Sequence, residues 1–426
     1  MEWNDLTFLF TLMSCSFVAS NYKILDSQNI KKLYGSFIGL LTIFLISGPH
    51  IVHPIFITMI NSIIILNANK RLMHIYCFGF SWAYLMLIHS DILNIPWQMI
   101  PIHMVLTLRL VGLSFEVNAS HISKNRHQIN HKEYGVNDDI MKQIGSSEEL
   151  SEDPHLDDIL FYTFNFIGIH RGPYYRWKTF NDYFKFPVED IRIKSSTKMS
   201  TVPVICAIYF FMKFWYPALW YWYNIPHLVM LILHHWMIST MCQSVCIAAG
   251  FGIYPIKCKA ISGLGPTQNF ELLQNLESYD FGAIKSNEKY HILVASTMRR
   301  ALQAYNMTIR YWFWSCVYRR LPFKTECANL LSTISILAWF VWSGLKLGNL
   351  IMSSTLLLYI YIEDLYKGVL KNMLSQYALF AIFYDGNNLK ALFAILYIGN
   401  NLKTLFFVWM YVCYSFTQNL LNGHDL

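Results

Sequence analysis

Charge is what this sequence has least of. Only 14% of its 426 residues are Asp, Glu, Lys or Arg, against roughly 25% in a soluble globular domain. With 54% apolar and 16% aromatic residues, that scarcity excludes a soluble enzyme and makes the chain an integral membrane protein. A basic segment ahead of the first apolar tract is lacking too. The chain opens "MEWNDL" and no convincing small-residue cleavage site follows, so the first helix is expected to be an uncleaved anchor. Nine cysteines, an odd number set mostly inside apolar tracts, give no disulfide framework. Cys242 and Cys246, four apart without further ligands, read as packing, and no metal site is expected. Two similar halves with paired mid-membrane charges, which a transporter would show, are not visible.

What the chain does have is apolar tracts from end to end. They include Leu6 to Tyr22, Tyr34 to Ser47, Ile51 to Leu66, Met73 to Leu93, Met99 to Leu113, Met199 to Tyr223, Leu228 to Phe251, Leu293 to Val317, Ala328 to Leu345, Tyr377 to Phe383 and Leu402 to Phe416. Spanning helices need about 20 residues. The pattern predicts an all-α, polytopic membrane helical bundle with broken and re-entrant helices. The "GPH" break at Gly48 to His50 marks its two flanking tracts as a re-entrant or tilted pair. Continuous hydropathy leaves room for one domain over 1–426, interrupted by a polar loop at 118–158. Histidines in that loop, His121, His127, His131 and His155, match no ligand spacing and read as solvated. A short tandem repeat, "GNNLK" at Gly386 and again at Gly399, reads as a local duplication.

The net charge of +7 sits in the joints, among them Lys31, Lys32, Lys70, Arg71, Arg171 and Arg176. Such joints suit the anionic surface of membrane lipids and are too dispersed for nucleic acid. They do not fix orientation, because successive joints should alternate sides.

Polar residues inside apolar ground carry the functional hypotheses. Arg299, Gln303, Asn306 and Arg310 are spaced to share one helix face, with Tyr311, Trp312 and Trp314 beside them. The stripe either lines a polar cavity, where Arg310 and Trp312 would hold an anionic head group, or lies at the interface with its arginines snorkelling. Arg109 and Glu116, two turns apart on one face, read either as a structural charge pair or as part of a site. His50 and His53 read as cavity lining or as a satisfied kink, and the adjacent His234 and His235 cannot chelate one ion. Asn118, in "NAS", matches a glycosylation acceptor in a more exposed stretch than the "NMT" at Asn306, with its side of the membrane left open. Fifteen histidines are present, yet none lies between His291 and His424.

Four stretches, "SGPHIVHP" at Ser47, "GIHRGPYYRWKTFNDYF" at Gly168, "CIAAGFGIYP" at Cys246 and "YNMTIRYWF" at Tyr305, resemble in this order the membrane-bound O-acyltransferase family, and within it the lysophosphatidylinositol acyltransferase branch. The resemblance implies helices around a central tunnel and transfer of an acyl group from acyl-coenzyme A to a lysophospholipid in the endoplasmic reticulum. Acyl-CoA would be a co-substrate, and no cofactor is implied. Family members pair a catalytic asparagine with a later histidine. Asn306 matches the asparagine, whereas "WSGLKLG" puts Ser343 at the histidine. Lys346 stands at a second family histidine, Leu347 at the proline after it, and Gln243 where relatives often carry an acid. Serine has no pKa near neutrality, so Ser343 is not expected to serve as the general base. A non-catalytic relative that binds lipid or acyl-CoA, or acts as a membrane scaffold, is the alternative.

Overall fold

The computed structural model describes residues 3–22, 27–134, 153–185, 201–215, 224–268, 279–288, 298–321, 328–344 and most of 349–365. The tandem repeat, the last two apolar tracts, Lys346 and Leu347 lie outside the described residues. The chain divides into two compact units. One comprises Met1–Phe211, Leu233–Ser286 and Met307–Arg320, the other Met212–Ile232, Asn287–Asn306 and Leu321–Leu426. Among the described residues the elements are helices, apart from a short antiparallel ladder of β1 (Tyr254–Pro255) and β2 (Tyr279–Asp280).

The first unit opens with five helices: α1 (Trp3–Tyr22), α2 (Gln28–Ser47), α3 (Val52–Asn67), α4 (Met73–His89) and α5 (Ile100–Tyr134). Gln28–Asn67, taken through its 3-10 turn at Gly48–Ile51, and Trp97–Lys124 are long and apolar enough to cross a bilayer. Large apolar side chains such as Phe17, Phe37, Phe44 and Ile63 point outward from these helices, as lipid-facing positions do. At one end of the bundle, Tyr22 Oη donates to the Lys31 carbonyl (2.7 Å) and Asn118 Nδ2 to the Lys70 carbonyl (2.8 Å). The opposite end joins the Gly48–Ile51 turn to the start of α5. There His53 Nδ1 and Tyr84 Oη lie 2.7 Å apart, and the His53 and His103 ring centroids 6.4 Å.

Two expectations change here. Asn118 is buried and its amide is spent on the connector between α3 and α4, so it is not an exposed glycosylation acceptor. The polar stretch expected as a loop from Asn118 continues α5 as far as Tyr134, because its Lys, Gln and Glu are good helix formers and no glycine comes before Gly135.

A helical hairpin is built around the "GIHRGPYYRW" region. Helix α6 (Leu156–Phe164) descends beside α2, the chain turns through 165–176, and α7 (Trp177–Lys185) returns. Both limbs end at Lys32: its ammonium bonds Asp158 at the start of α6 (3.2 Å) and lies 5.7 Å from the centre of the Phe184 ring at the end of α7. The tip reaches towards the opposite end, where His170 Nε2 lies 3.3 Å from Thr11 Oγ1 and its ring packs edge-on against Phe8.

Close approach of α6 to α2 depends on Gly35 and Gly39, a small-x-x-x-small pair. The Gly35 carbonyl accepts the Phe166 N–H (3.1 Å), and a Cβ on Gly39 would overlap the Phe164 carbonyl. Gly39→Ala is therefore expected to force the helices apart and to destabilise the solubilised protein by about 1–3 kcal/mol, the usual range for overpacking. Thermal unfolding in detergent reads this as a lowered midpoint.

Breaking a helix inside protein orphans carbonyls that water cannot reach. Arg109, fully buried on α5, answers for them. Its Nη1 donates to the carbonyls of Tyr162 (3.2 Å), Thr163 (2.9 Å) and Asn165 (3.0 Å), and Nη2 donates to that of Ile167. The guanidinium also lies 4.7 Å from the centre of the Tyr175 ring. Two turns along α5, the Glu116 carboxylate accepts the N–H groups of Trp177 (3.0 Å) and Lys178 (3.3 Å) and meets Arg176 Nε at 3.4 Å. Arg109 and Glu116 therefore do not form the charge pair that their spacing suggested. The cation closes a helix C-terminus and the anion an N-terminus, the signs that the two helix dipoles favour. Tyrosines lace the hairpin: Tyr162 Oη donates to the Tyr175 carbonyl (2.7 Å) and Tyr175 Oη to that of Ile167 (3.0 Å). Near the α7 limb, Tyr254 Oη donates to Asp182 Oδ2 (3.0 Å). Burial, with that carboxylate alongside, pushes the Tyr254 hydroxyl well above its ordinary pKa and keeps it a donor.

Candidate active site

The stretch "RRALQAYNMTIRYWF" was expected to form one helix, but it is broken at the asparagine. After α8 (Thr201–Trp215) and α9 (Asn224–Ala248), helix α10 (Met298–Ala304) stops, Tyr305 and Asn306 bend, and α11 (Met307–Cys316) begins. Asn306 takes a positive φ of 41°, a conformation that asparagine tolerates better than most residues. Two bonds from the preceding segment hold the corner. Asn287 Oδ1 accepts the Asn306 N–H (2.8 Å), and the Glu288 N–H donates to the Ala304 carbonyl that ends α10 (2.9 Å). The break undoes the expected stripe, because residues on either side of a left-handed corner no longer share a helix face.

Of the four singled-out residues, Asn306 and Ser343 belong to the second unit, Arg310 and Trp312 to the first. Arg310 is exposed. Trp312 is fully buried, donates its Nε1–H to the Leu108 carbonyl (2.9 Å) and packs on Phe313. That anchors α11 to α5, a structural task that its place in the motif did not announce. Thr308 adds a second tie, its Oγ1 accepting the Tyr174 N–H of the hairpin (3.3 Å).

Ser343 is the last residue of α12 (Ala328–Ser343). Its Oγ donates to the Phe340 carbonyl (3.0 Å). The following Gly344 has φ 108° and ends the helix, and Asn349 Nδ2 bonds the carbonyls of both Ser343 (3.1 Å) and Gly344 (2.9 Å). The hydroxyl is thus turned back onto its own helix, in a closed C-terminal cap.

Within the second unit the asparagine corner meets this helix. The ring of Tyr305 stacks on Trp339, with centroids 6.4 Å apart and planes 22° from parallel, and Trp339 packs edge-on against Trp342. Trp339 stands one turn before Ser343. The residue before the family asparagine therefore touches the turn that leads to the family histidine position.

His50, His53 and His234 are engaged in the first unit: His50 stacks on His53, His53 meets Tyr84, and His234 stacks on Tyr209. Among the described residues no group of three or more His, Cys, Asp or Glu is arranged to hold a metal ion.

No protein-family model matches this chain. Individual relatives do. The membrane-bound acylglycerophosphatidylinositol O-acyltransferase of Drosophila melanogaster is 23% identical over 396 residues, covering 87% of this chain and 80% of the relative. The protein of the same description from Mus musculus is 24% identical over 404 residues, covering 88% and 81%, and that from Homo sapiens 23% over 402 residues, covering 88% and 81%. With the four motifs, this places the chain's similarity with the membrane-bound O-acyltransferases, in their acylglycerophosphatidylinositol branch.

Proposed function

We propose that this chain is a multi-pass protein of the endoplasmic reticulum that takes acyl-CoA and lysophosphatidylinositol into a tunnel among its helices and transfers the acyl group to the free lipid hydroxyl. Relatives named for that transfer cover most of the chain. The observation that carries the reading is the stacking of Tyr305 on Trp339, which joins the asparagine corner to the helix of Ser343.

In the reaction the lipid hydroxyl oxygen bonds to the thioester carbon, the C–S bond breaks, and the hydroxyl proton ends on the coenzyme A thiol. The Asn306 carboxamide is suited to donate to the carbonyl oxygen as it gains charge. A general base at the Ser343 position is what the chain lacks. Proton transfer must then go through water or substrate, at a cost of about 10² to 10⁴ in rate.

Membranes carrying the chain, supplied with arachidonoyl-CoA, are expected to acylate lysophosphatidylinositol in preference to lysophosphatidylcholine. Asn306→Ala should lower that rate by about 10²- to 10³-fold, the usual effect of losing one oxyanion donor. Transfer indifferent to Asn306 would overturn the assignment. The second reading, a non-catalytic lipid- or acyl-CoA-binding relative, is favoured by the Ser343 Oγ to Phe340 bond. It predicts lysolipid binding without turnover.

A further inference from the structure

The basic joints, unassignable in sequence, sort by position in the folded first unit. One end of its bundle holds the start of α2 with Lys31 and Lys32, the connector between α3 and α4 with Lys70 and Arg71, and both limbs of the hairpin. Lys70 is tied to Asp153 (3.5 Å), and Asn118 holds the Lys70 and Arg71 carbonyls. The Phe115 ring, one turn before Asn118, carries the Arg320 guanidinium at 5.5 Å on one side and the His74 ring at 4.9 Å on another. Arg319, equally exposed, lies over Trp314 at 5.8 Å. Lys124 stands exposed further along α5.

The opposite end is composed otherwise. Its two connectors, 48–51 and 90–99, contain no Lys or Arg, one acid (Asp91), and outward-facing Ile92 and Trp97. Arg171, near the tip of the hairpin, is an exposed basic residue on that side.

We infer that the Lys70–Arg71 and Arg319–Arg320 end is the cytosolic end of the first unit and lies against anionic head groups of the cytosolic leaflet, with the Ile92–Trp97 connector on the luminal side. Lys and Arg in short joints are retained on the cytosolic side of a bilayer, and acids have little weight. Guanidinium groups over aromatic rings are the arrangement of residues anchored at the head-group level of a charged leaflet. The inference rests on the multi-pass reading and does not depend on the acyl transfer.

The test places single new cysteines in the full chain in intact, cytosol-side-out microsomes: Asn69→Cys and Lys124→Cys at the basic end, and Ile92→Cys at the other. A membrane-impermeant maleimide reports accessibility, with the parent protein as blank. The expected result is labelling of Asn69→Cys and Lys124→Cys at once, and at least tenfold more labelling of Ile92→Cys after detergent opens the membrane. Labelling of Ile92→Cys alone in sealed vesicles would overturn the orientation. Labelling of both ends before permeabilisation would overturn the spanning reading beneath it.

Discussion

Arg109→Met is expected to leave no folded protein. Four buried carbonyls depend on one guanidinium. Bonds to a charged donor contribute about 1.5–3 kcal/mol each, and a stranded buried acceptor costs about 1–3 kcal/mol. Even half of that total is comparable with the roughly 5–15 kcal/mol by which a domain is stable. Lysine should fail as well, because an ammonium at the end of a flexible stem cannot span the planar fork that reaches four carbonyls. Size exclusion of the solubilised variant is expected to give aggregate where the parent gives a symmetric peak. A variant that elutes and melts like the parent would mean that the hairpin carbonyls are satisfied in some other way.

Ser343→His is expected to act in the opposite sense and raise turnover with lysophosphatidylinositol and arachidonoyl-CoA by about 10²- to 10⁴-fold. The substitution costs little in the fold. Ser343 is a half-buried helix-terminal residue whose hydroxyl bonds only within its own helix, and the Asn349 bonds go to backbone carbonyls that the change retains. An imidazole there would stand one turn beyond Trp339, on the helix against which the Asn306 corner packs. The gain should vanish in the double variant with Asn306→Ala, since a base without its oxyanion donor leaves the developing charge unsupported. Equal rates with and without the histidine would mean that another group already takes the proton.

Hydropathy alone carried the helical class and the outward apolar faces, because lipid-facing residues repeat along every tract. Motif order singled out Asn306 and Ser343 as candidates. The Asn306 corner was not legible: its polar residues are spaced as a continuous helix would space them, and only the Asn287 and Glu288 bonds from a preceding segment reveal the left-handed break. Trp312 was singled out for its motif but is held by packing against α5. Arg109 and Glu116 showed the right spacing for a pair and the wrong partners. Their true contacts come from residues 162 to 178, far off in sequence, and periodicity carries no information about such contacts. Glu116 is a helix cap supplied by another helix, which no local capping pattern announces.

The pH dependence of acyl transfer tests the absence of a general base most directly. Rates to lysophosphatidylinositol would be taken from pH 5 to pH 9 on the purified parent and on Ser343→His. A histidine base works only when deprotonated, so the variant's rate should climb as pH rises through about 6.5 and then level off. The parent should remain slow, without that step. A parent that already shows the step, at a rate matching the variant, would contradict the account.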